Sequence, residues 1–356
     1  MDATSTVAAM ETSNGTSMNT TATPGGIEVY DPLWVITIRW IIGAIIVLVG
    51  SIGNVMVCAV VYKNQRMQTA MNLFLVNLAV WDILVCLFNI PLTLIYNQLK
   101  SWPFGLFWCK TMPTLQVMNL SASTGSLVAI TIERYRAICL PFTPPLSKFQ
   151  AKLIIAIVSM SSFLVALPEV GAYKQAPPLG WLEMFPSNDL RKAYSLFLFL
   201  FCYFLPLLFI APAYTRMILK LWRDDRDKNS SSSGVTEDPK NHKRKRNVLR
   251  MMVIVVLCYA ICMLPTYATF LWLDFGLSGP PPNYYFALLS LMQMITFINS
   301  CVNPIIYWCL SDQFSKGFRK LFCCKKRLNT WSRHTQQSSS SSSDPHHHHQ
   351  TIPTKV

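Results

Sequence analysis

Six hydrogen-bonding side chains lie within long apolar runs: Asp82, Asn119, Ser123, Asn299, Ser300 and Asn303. Asp82 is the one acid between Ala70 and Leu99. Asn119 and Ser123 are four apart and share a helical face, while Asn299, Ser300 and Asn303 fall on one side of another helix. Asn54 adds a further polar group inside an apolar run. A carboxylate in mid-membrane costs at least about 2.5 to 3.5 kcal/mol, so Asp82 needs partners or a role. Two chemistries fit. The polar groups can glue helices together through hydrogen bonds, or one carboxylate ringed by neutral oxygens can hold a small cation such as sodium. Spacing leaves the two open. These runs hold no metal-ligand set and no nucleophile paired with a base, so nothing in them points to an enzyme.

The elements that must carry these groups are membrane helices. Of the 356 residues, 52% are hydrophobic and 13% charged, against about a quarter charged in a soluble domain. Uncharged stretches run from Ile41 to Tyr62, Thr111 to Ile132, Ala193 to Thr215 and Met251 to Leu273. Each reaches the roughly 20 residues that cross a bilayer as a helix. Ala70 to Leu99, Leu153 to Pro168 and Tyr284 to Leu310 bring the total to seven. The sixteen-residue fourth run is the shortest and must extend past Lys152 and Glu169, with the lysine snorkelling. The expected fold is an all-α seven-helix bundle over residues 34–310.

An odd number of spans puts the termini on opposite faces. With the N-terminus outside, 25 of the 31 Lys and Arg fall on the inner segments, which fixes that orientation. The net charge of +14 therefore reflects cytosolic loops and not a nucleic-acid surface. A nuclear signal is one reading of Lys243-Arg244-Lys245-Arg246; in a membrane protein the cluster marks the cytosolic end of span six, near anionic lipid. Residues 1–33 lack basic residues and an apolar core, so the expectation is no cleavable signal and a polar outer tail, with glycosylation acceptors at Asn14 and Asn19. The similar triplets at Asn119 and Asn229 fall in a span and on the cytosolic face.

Beyond span seven, residues 311–324 place Phe314, Phe318, Leu321 and Phe322 on one face, which reads as an amphipathic helix lying on the membrane. Cys323 and Cys324 follow as acylation sites or plain cytosolic thiols. The tail 325–356 is expected to be disordered, with a serine run before His346 to His349. Its end, Thr354-Lys355-Val356, has the pattern captured by a PDZ-type edge-strand groove. The eleven cysteines lie mostly in apolar runs and read as small core residues.

Further motifs carry a resemblance. Gly53-Asn54, Asn77-Leu78-Ala79 with Asp82, Glu133-Arg134-Tyr135, Pro141, Pro206 with Tyr214, Cys262 with Pro265, and Asn303-Pro304-Ile305-Ile306-Tyr307 follow one another, each in its own span or at its end. In this order the chain resembles a rhodopsin-like (class A) G-protein-coupled receptor over all seven spans and the surface helix. The resemblance implies that Arg134 is held by Glu133 at rest and meets Tyr214 and Tyr307 on activation, a two-state element. Pro206, Pro265 and Pro304 would free carbonyls and form hinges, kinks without any switching role being the plainer alternative. Phe142 would be the apolar knob offered to a heterotrimeric G protein, and the Ser-rich tail the site for a receptor kinase and arrestin. Asp82, Asn119, Ser123, Asn299, Ser300 and Asn303 match the family's allosteric sodium site, with no other cofactor or metal implied.

The sequence departs from that family in four places. Span four lacks a tryptophan near Val158 and Ser159, Met263 stands where a tryptophan switch is expected, and Lys245 stands where some members carry an acid. Residues 169–192 contain no cysteine to pair with Cys109. Cys202 lies roughly 13 Å below the surface, too deep for a bridge, so Cys109 is expected to stay free or to pair between molecules.

By the same resemblance, Gln116 replaces the aspartate that anchors amines and Phe297 replaces the lysine that holds retinal. What remains resembles the neuropeptide branch, especially receptors for amidated peptides ending in Arg-Phe or Arg-Tyr. The implied pocket is Gln116, Asp274, Thr93, Tyr96, Trp102, Tyr267, Phe270 and Gln293, with Asp274 gripping an arginine. The plainer alternative is that Asp274 caps its span or pairs with Lys100 or Arg191. Rival functions are an ion-coupled transporter, whose inverted repeats the sequence does not show, and a receptor-like protein that no longer signals.

Overall fold

The fourth helix begins earlier than its apolar run suggests, and its start is built by a reciprocal cap. Ser147 Oγ accepts from the Gln150 amide at 3.1 Å while Gln150 Oε1 accepts from the Ser147 amide at 3.0 Å. This Ser-x-x-Gln box satisfies two orphan donors and lets the helix run from Lys148 to Ala172. At 1.5 Å per residue the 25 residues span about 37 Å, enough to cross.

The computed structural model describes residues 33–99, 102–140, 142–175, 181–230, 239–276 and 285–321. Among them are seven helices long and apolar enough to cross a membrane. In chain order, α1 is Leu33–Lys63 and α2 is Ala70–Leu99, with a π turn at Val85–Asn89. Helix α3 is Gly105–Cys139 and α4 is Lys148–Ala172. Helix α5 comprises Asn188–Phe199, a π turn Leu200–Phe204 and Leu205–Ser230. Helix α6 comprises Pro239–Leu271 and a closing π turn Trp272–Gly276, and α7 is Tyr285–Leu310. A last helix, α8, covers 312–321. The glycosylation acceptors, Pro141, Phe322, Cys323, Cys324 and the tail lie outside the described residues.

One feature departs from the all-α expectation. Between α4 and α5, strands β1 (Tyr173–Gln175) and β2 (Trp181–Glu183) pair antiparallel, with Tyr173 opposite Glu183 and Gln175 opposite Trp181. The ladder, extended by Met184 N donating to Ala172 O at 2.7 Å, satisfies backbone groups of an outer loop that contains no cysteine.

The helices bury narrow stripes and turn wide apolar faces outward, the reverse of a soluble protein. On α1, Gly43, Ile46, Gly50, Asn54 and Val57 are buried at spacings of three and four, while Ile38, Ile41, Ile45, Leu48 and Ile52 are exposed. A Cβ on Gly53 would lie 2.7 Å from Pro304 Cγ, so only glycine lets α1 and α7 approach this closely. Helix α8 packs inward more than expected. Phe314 and Phe318 are each 1% exposed, with Phe314 5.6 Å from the Tyr307 ring and Phe318 5.9 Å from Trp308. The end of α7 thus covers the apolar face assigned to lipid.

Candidate functional site

The polar residues singled out by spacing do converge. Asp82 is fully buried on α2 and accepts from Asn303 Nδ2 of α7 at 3.0 Å. Its second oxygen, Oδ1, has no hydrogen-bond partner. Ser123 Oγ lies 3.5 Å from Asn119 Oδ1 on α3. Ser123, Asn299 and Asn303 line a small void together with Leu78, Leu127, Val255 and Tyr259. The free carboxylate oxygen, with neutral amide and hydroxyl groups on α3 and α7 nearby, is the donor chemistry that a small hard cation takes. The Asp82–Asn303 bond also ties α2 to α7, and further residues add to this glue. Asn77 Nδ2 donates to Ser126 Oγ at 2.9 Å, tying α2 to α3, and Asn54 Nδ2 donates to Ser300 O at 2.8 Å, tying α1 to α7.

That last bond reveals a pattern. Proline cannot donate to the carbonyl four residues back, so Pro304 leaves Ser300 O free and Pro206 leaves Cys202 O free. Asn54 takes the first. The second accepts from Tyr259 Oη at 2.7 Å and from Thr124 Oγ1 at 2.8 Å, and the two hydroxyls lie 2.6 Å apart. Tyr203 Oη also donates to Ala260 O at 3.0 Å. Two of the three expected hinges are therefore pinned by a neighbouring helix. Sequence reasoning missed Thr124 and Tyr259; the available signal was a hydroxyl inside each of two apolar runs.

The outer pocket residues divide. Gln293 Nε2 of α7 donates to Gln116 Oε1 of α3 at 3.2 Å, and both side chains are half-buried. Tyr267 is buried among Phe199 and Tyr203, and its hydroxyl has no partner. Phe270 is exposed. Thr93 and Trp102 do not offer a lining. Thr93 is 1% exposed and faces Met112 Sδ at 3.6 Å. Trp102 is 5% exposed, donates to Gly105 O at 2.8 Å and stacks edge-on with Tyr96 and Phe104. Packing wins at both positions because α2 and α3 are close there. Cys109, fully buried beside Trp102 and Met112, is a free thiol, as is Cys202.

Asp274 stands at the C-terminal end of α6 but is only 7% exposed, and Arg191 Nη2 of α5 meets its Oδ1 at 2.7 Å. The intramolecular pairing weighed as an alternative is the one the structure makes.

At the C-terminal end of α3, Glu133 is buried and its Oε2 lacks a hydrogen bond, as does Arg134 Nε. Among the described residues no ion pair at contact distance joins the two, although Glu133 lies near enough for its charge to act on the guanidinium, so the expected latch is present as an attraction and not as a contact. Arg134 as a whole is half-buried with its Nε shielded, near Tyr214, and Tyr214 and Tyr307 are buried. Phe142 is fully exposed. Arg136 Nη2 donates to Pro144 O at 2.9 Å and so shapes the loop that carries it. Met263, in place of the family's tryptophan, is 3% exposed and sits in the main apolar core.

Seven helices long and apolar enough to span a bilayer, closed around a buried polar centre, define a multi-pass membrane protein. Residues 53–307 match the 7 transmembrane receptor (rhodopsin family) model. The chain belongs to that family. Neuropeptide FF receptor 1 of Rattus norvegicus is 31% identical over 309 residues, 82% of this chain and 72% of the relative. The Homo sapiens receptor of the same name is 33% identical over 296 residues, 78% and 68% respectively. A QRFP-like peptide receptor of Branchiostoma floridae is 31% identical over 303 residues, 81% of this chain and 78% of the relative.

Proposed function

We propose that this receptor binds an extracellular amidated peptide bearing a basic residue and activates heterotrimeric G proteins. The observation that carries the reading is the half-buried Gln116–Gln293 bridge between α3 and α7, with the acid Asp274 at the end of α6 as the candidate partner for a basic residue. Asp274 already holds Arg191 at 2.7 Å, so a ligand cation would reach it by exchange with that partner, while the amide rung offers donors and acceptors to a polar terminus. The printed names of the relatives, receptors for neuropeptide FF, a QRFP-like peptide, substance P and galanin, support a peptide ligand. Tyr267, with an unpartnered buried hydroxyl, belongs to the same pocket with Tyr96 and Phe270.

The N-terminus is then extracellular, glycosylated at Asn14 and Asn19, and the C-terminus cytosolic. Phe142 is the apolar contact for the G protein, next to the Glu133-Arg134-Tyr135 element. Sodium is an allosteric modulator held by Asp82 with Asn119, Ser123, Asn299, Ser300 and Asn303. When bound it supplies charge neutralisation to Asp82. The serine run serves a receptor kinase and arrestin, Cys323 and Cys324 take acyl chains, and Thr354-Lys355-Val356 engages a PDZ-type domain.

The test is a G-protein dissociation screen on expressing cells. C-terminally amidated peptides ending in Arg-Phe or Arg-Tyr are expected to activate, and their free-acid forms to be far weaker. Activation by small amines, with no response to any amidated peptide at matched surface expression, would overturn the assignment.

A further inference from the structure

The ion pair at the outer end of α5 and α6 is lopsided. Asp274 has a side chain 6% exposed, while that of Arg191 is 37% exposed. The acid is locked in a π turn, Trp272–Gly276. The arginine sits in the first turn of α5, fixed by a capped start in which Ser187 Oγ accepts from Leu190 N at 3.2 Å and Ser187 O from Arg191 N at 3.2 Å. The next residue repeats the grip, with Lys192 Nζ 5.8 Å over the Phe275 ring. Two consecutive cations of α5 thus hold two consecutive residues of α6. Arg191 Nε is buried without a partner, so the guanidinium uses little of its donor capacity here.

We infer that Arg191 is a resident stand-in for the ligand's guanidinium. It neutralises Asp274 in the ligand-free receptor, an arriving arginine must displace it, and the exchange decides which cations enter. The inference rests on the reading of Asp274 as the peptide anchor. The logic is that of a competitor tethered at high local concentration, since any ligand cation must outbid a partner already 2.7 Å away. A guanidinium that engages both carboxylate oxygens can replace a bond made at one; an ammonium offers no such fork. The half-exposed arginine has somewhere to go, because its charged head can swing into water while the acid stays buried. Lys192, the other cation at this corner, stacks on Phe275 and leaves the carboxylate to Arg191. The pair therefore filters for arginine over lysine and sets a threshold that weak cations do not cross.

The experiment uses full-length receptor on cells at matched surface expression. The probes are a C-terminally amidated peptide ending in Arg-Phe and the same peptide with that arginine replaced by uncharged citrulline. Arg191→Gln is expected to raise affinity for the arginine peptide at least fivefold and to leave the citrulline peptide within twofold. The gain should vanish in Arg191→Gln/Asp274→Ala. Arg191→Lys, the milder variant should Arg191→Gln reach the surface poorly, should give an intermediate gain. A loss or no change in Arg191→Gln, while Asp274→Ala still weakens the arginine peptide, overturns the stand-in role and makes Arg191 a positioning residue. If Asp274→Ala changes neither peptide, or neither binds, the anchor reading itself fails. A ligand-independent arm separates the two. Methylguanidinium should raise the melting temperature of detergent-solubilised Arg191→Ala but not of Arg191→Ala/Asp274→Ala, and equal melting in both sinks the stand-in whatever the peptides do.

Discussion

Tyr259 Oη reaches across from α6 and donates at 2.7 Å to the Cys202 carbonyl that Pro206 has deprived of its amide. The same carbonyl takes Thr124, so one backbone oxygen joins α3, α5 and α6 at mid-depth. Removing a partner from a buried acceptor costs about 1 to 3 kcal/mol. Tyr259→Phe and Thr124→Val should each lower the melting temperature of the solubilised receptor only modestly, and the double variant should lose more than the sum, since either hydroxyl alone still serves the acceptor and only the double leaves it unpaired. Wild-type melting in the double variant would show that the carbonyl tolerates the loss of both hydroxyls and that the three helices are joined by packing alone.

The approach of α1 to α7 makes a second prediction. A methyl at Gly53 would press on the Pro304 ring at 2.7 Å from Cγ and 2.8 Å from Cβ, both atoms of a stiff ring. Overpacking of this kind costs typically about 1 to 3 kcal/mol. Gly53→Ala should reduce surface expression and thermal stability, and adding Pro304→Ala should recover part of the loss. Unchanged stability in Gly53→Ala, measured by melting in detergent, contradicts the contact.

For the proposed sodium site, the orphaned Asp82 Oδ1 sets the expectation. An ion that binds the resting arrangement preferentially shifts the equilibrium only by its differential affinity. Replacing N-methylglucamine by sodium should raise the melting temperature of ligand-free receptor and weaken agonist binding, and Asp82→Asn should abolish both responses. Persistence of either response in Asp82→Asn removes Asp82 from the site.

Phe142 offers a clean separation of stability from coupling. Its side chain is fully exposed, so Phe142→Ala removes no packing and should leave melting and peptide binding unchanged. If it is the G-protein contact, agonist-driven nucleotide exchange should fall at least tenfold. Normal exchange with normal binding would transfer that role to another residue of the loop.

Much of this receptor was legible in the sequence because a bilayer imposes its costs residue by residue. Seven runs, their topology and the isolation of Asp82 follow from the expense of moving charge or unsatisfied backbone into hydrocarbon, which no distant contact can cancel. The polar set Asp82, Ser123, Asn299 and Asn303 was readable for the same reason. The limits of α4 were less so, since the Ser147–Gln150 cap lies outside the apolar run that signals the span. What only the tertiary structure decided are the meetings between helices. Sequence marks Thr93 and Trp102 as pocket residues, yet the tight α2–α3 packing buries both. It shows an arginine near the start of α5 and an acid at the end of α6, but not that they touch at 2.7 Å. It shows prolines that free two carbonyls, but not that Asn54, Thr124 and Tyr259 recapture them. Local solvation is additive along a chain, whereas a pairing depends on the depth, tilt and rotation of two helices at once, and those are fixed by every contact in the bundle together.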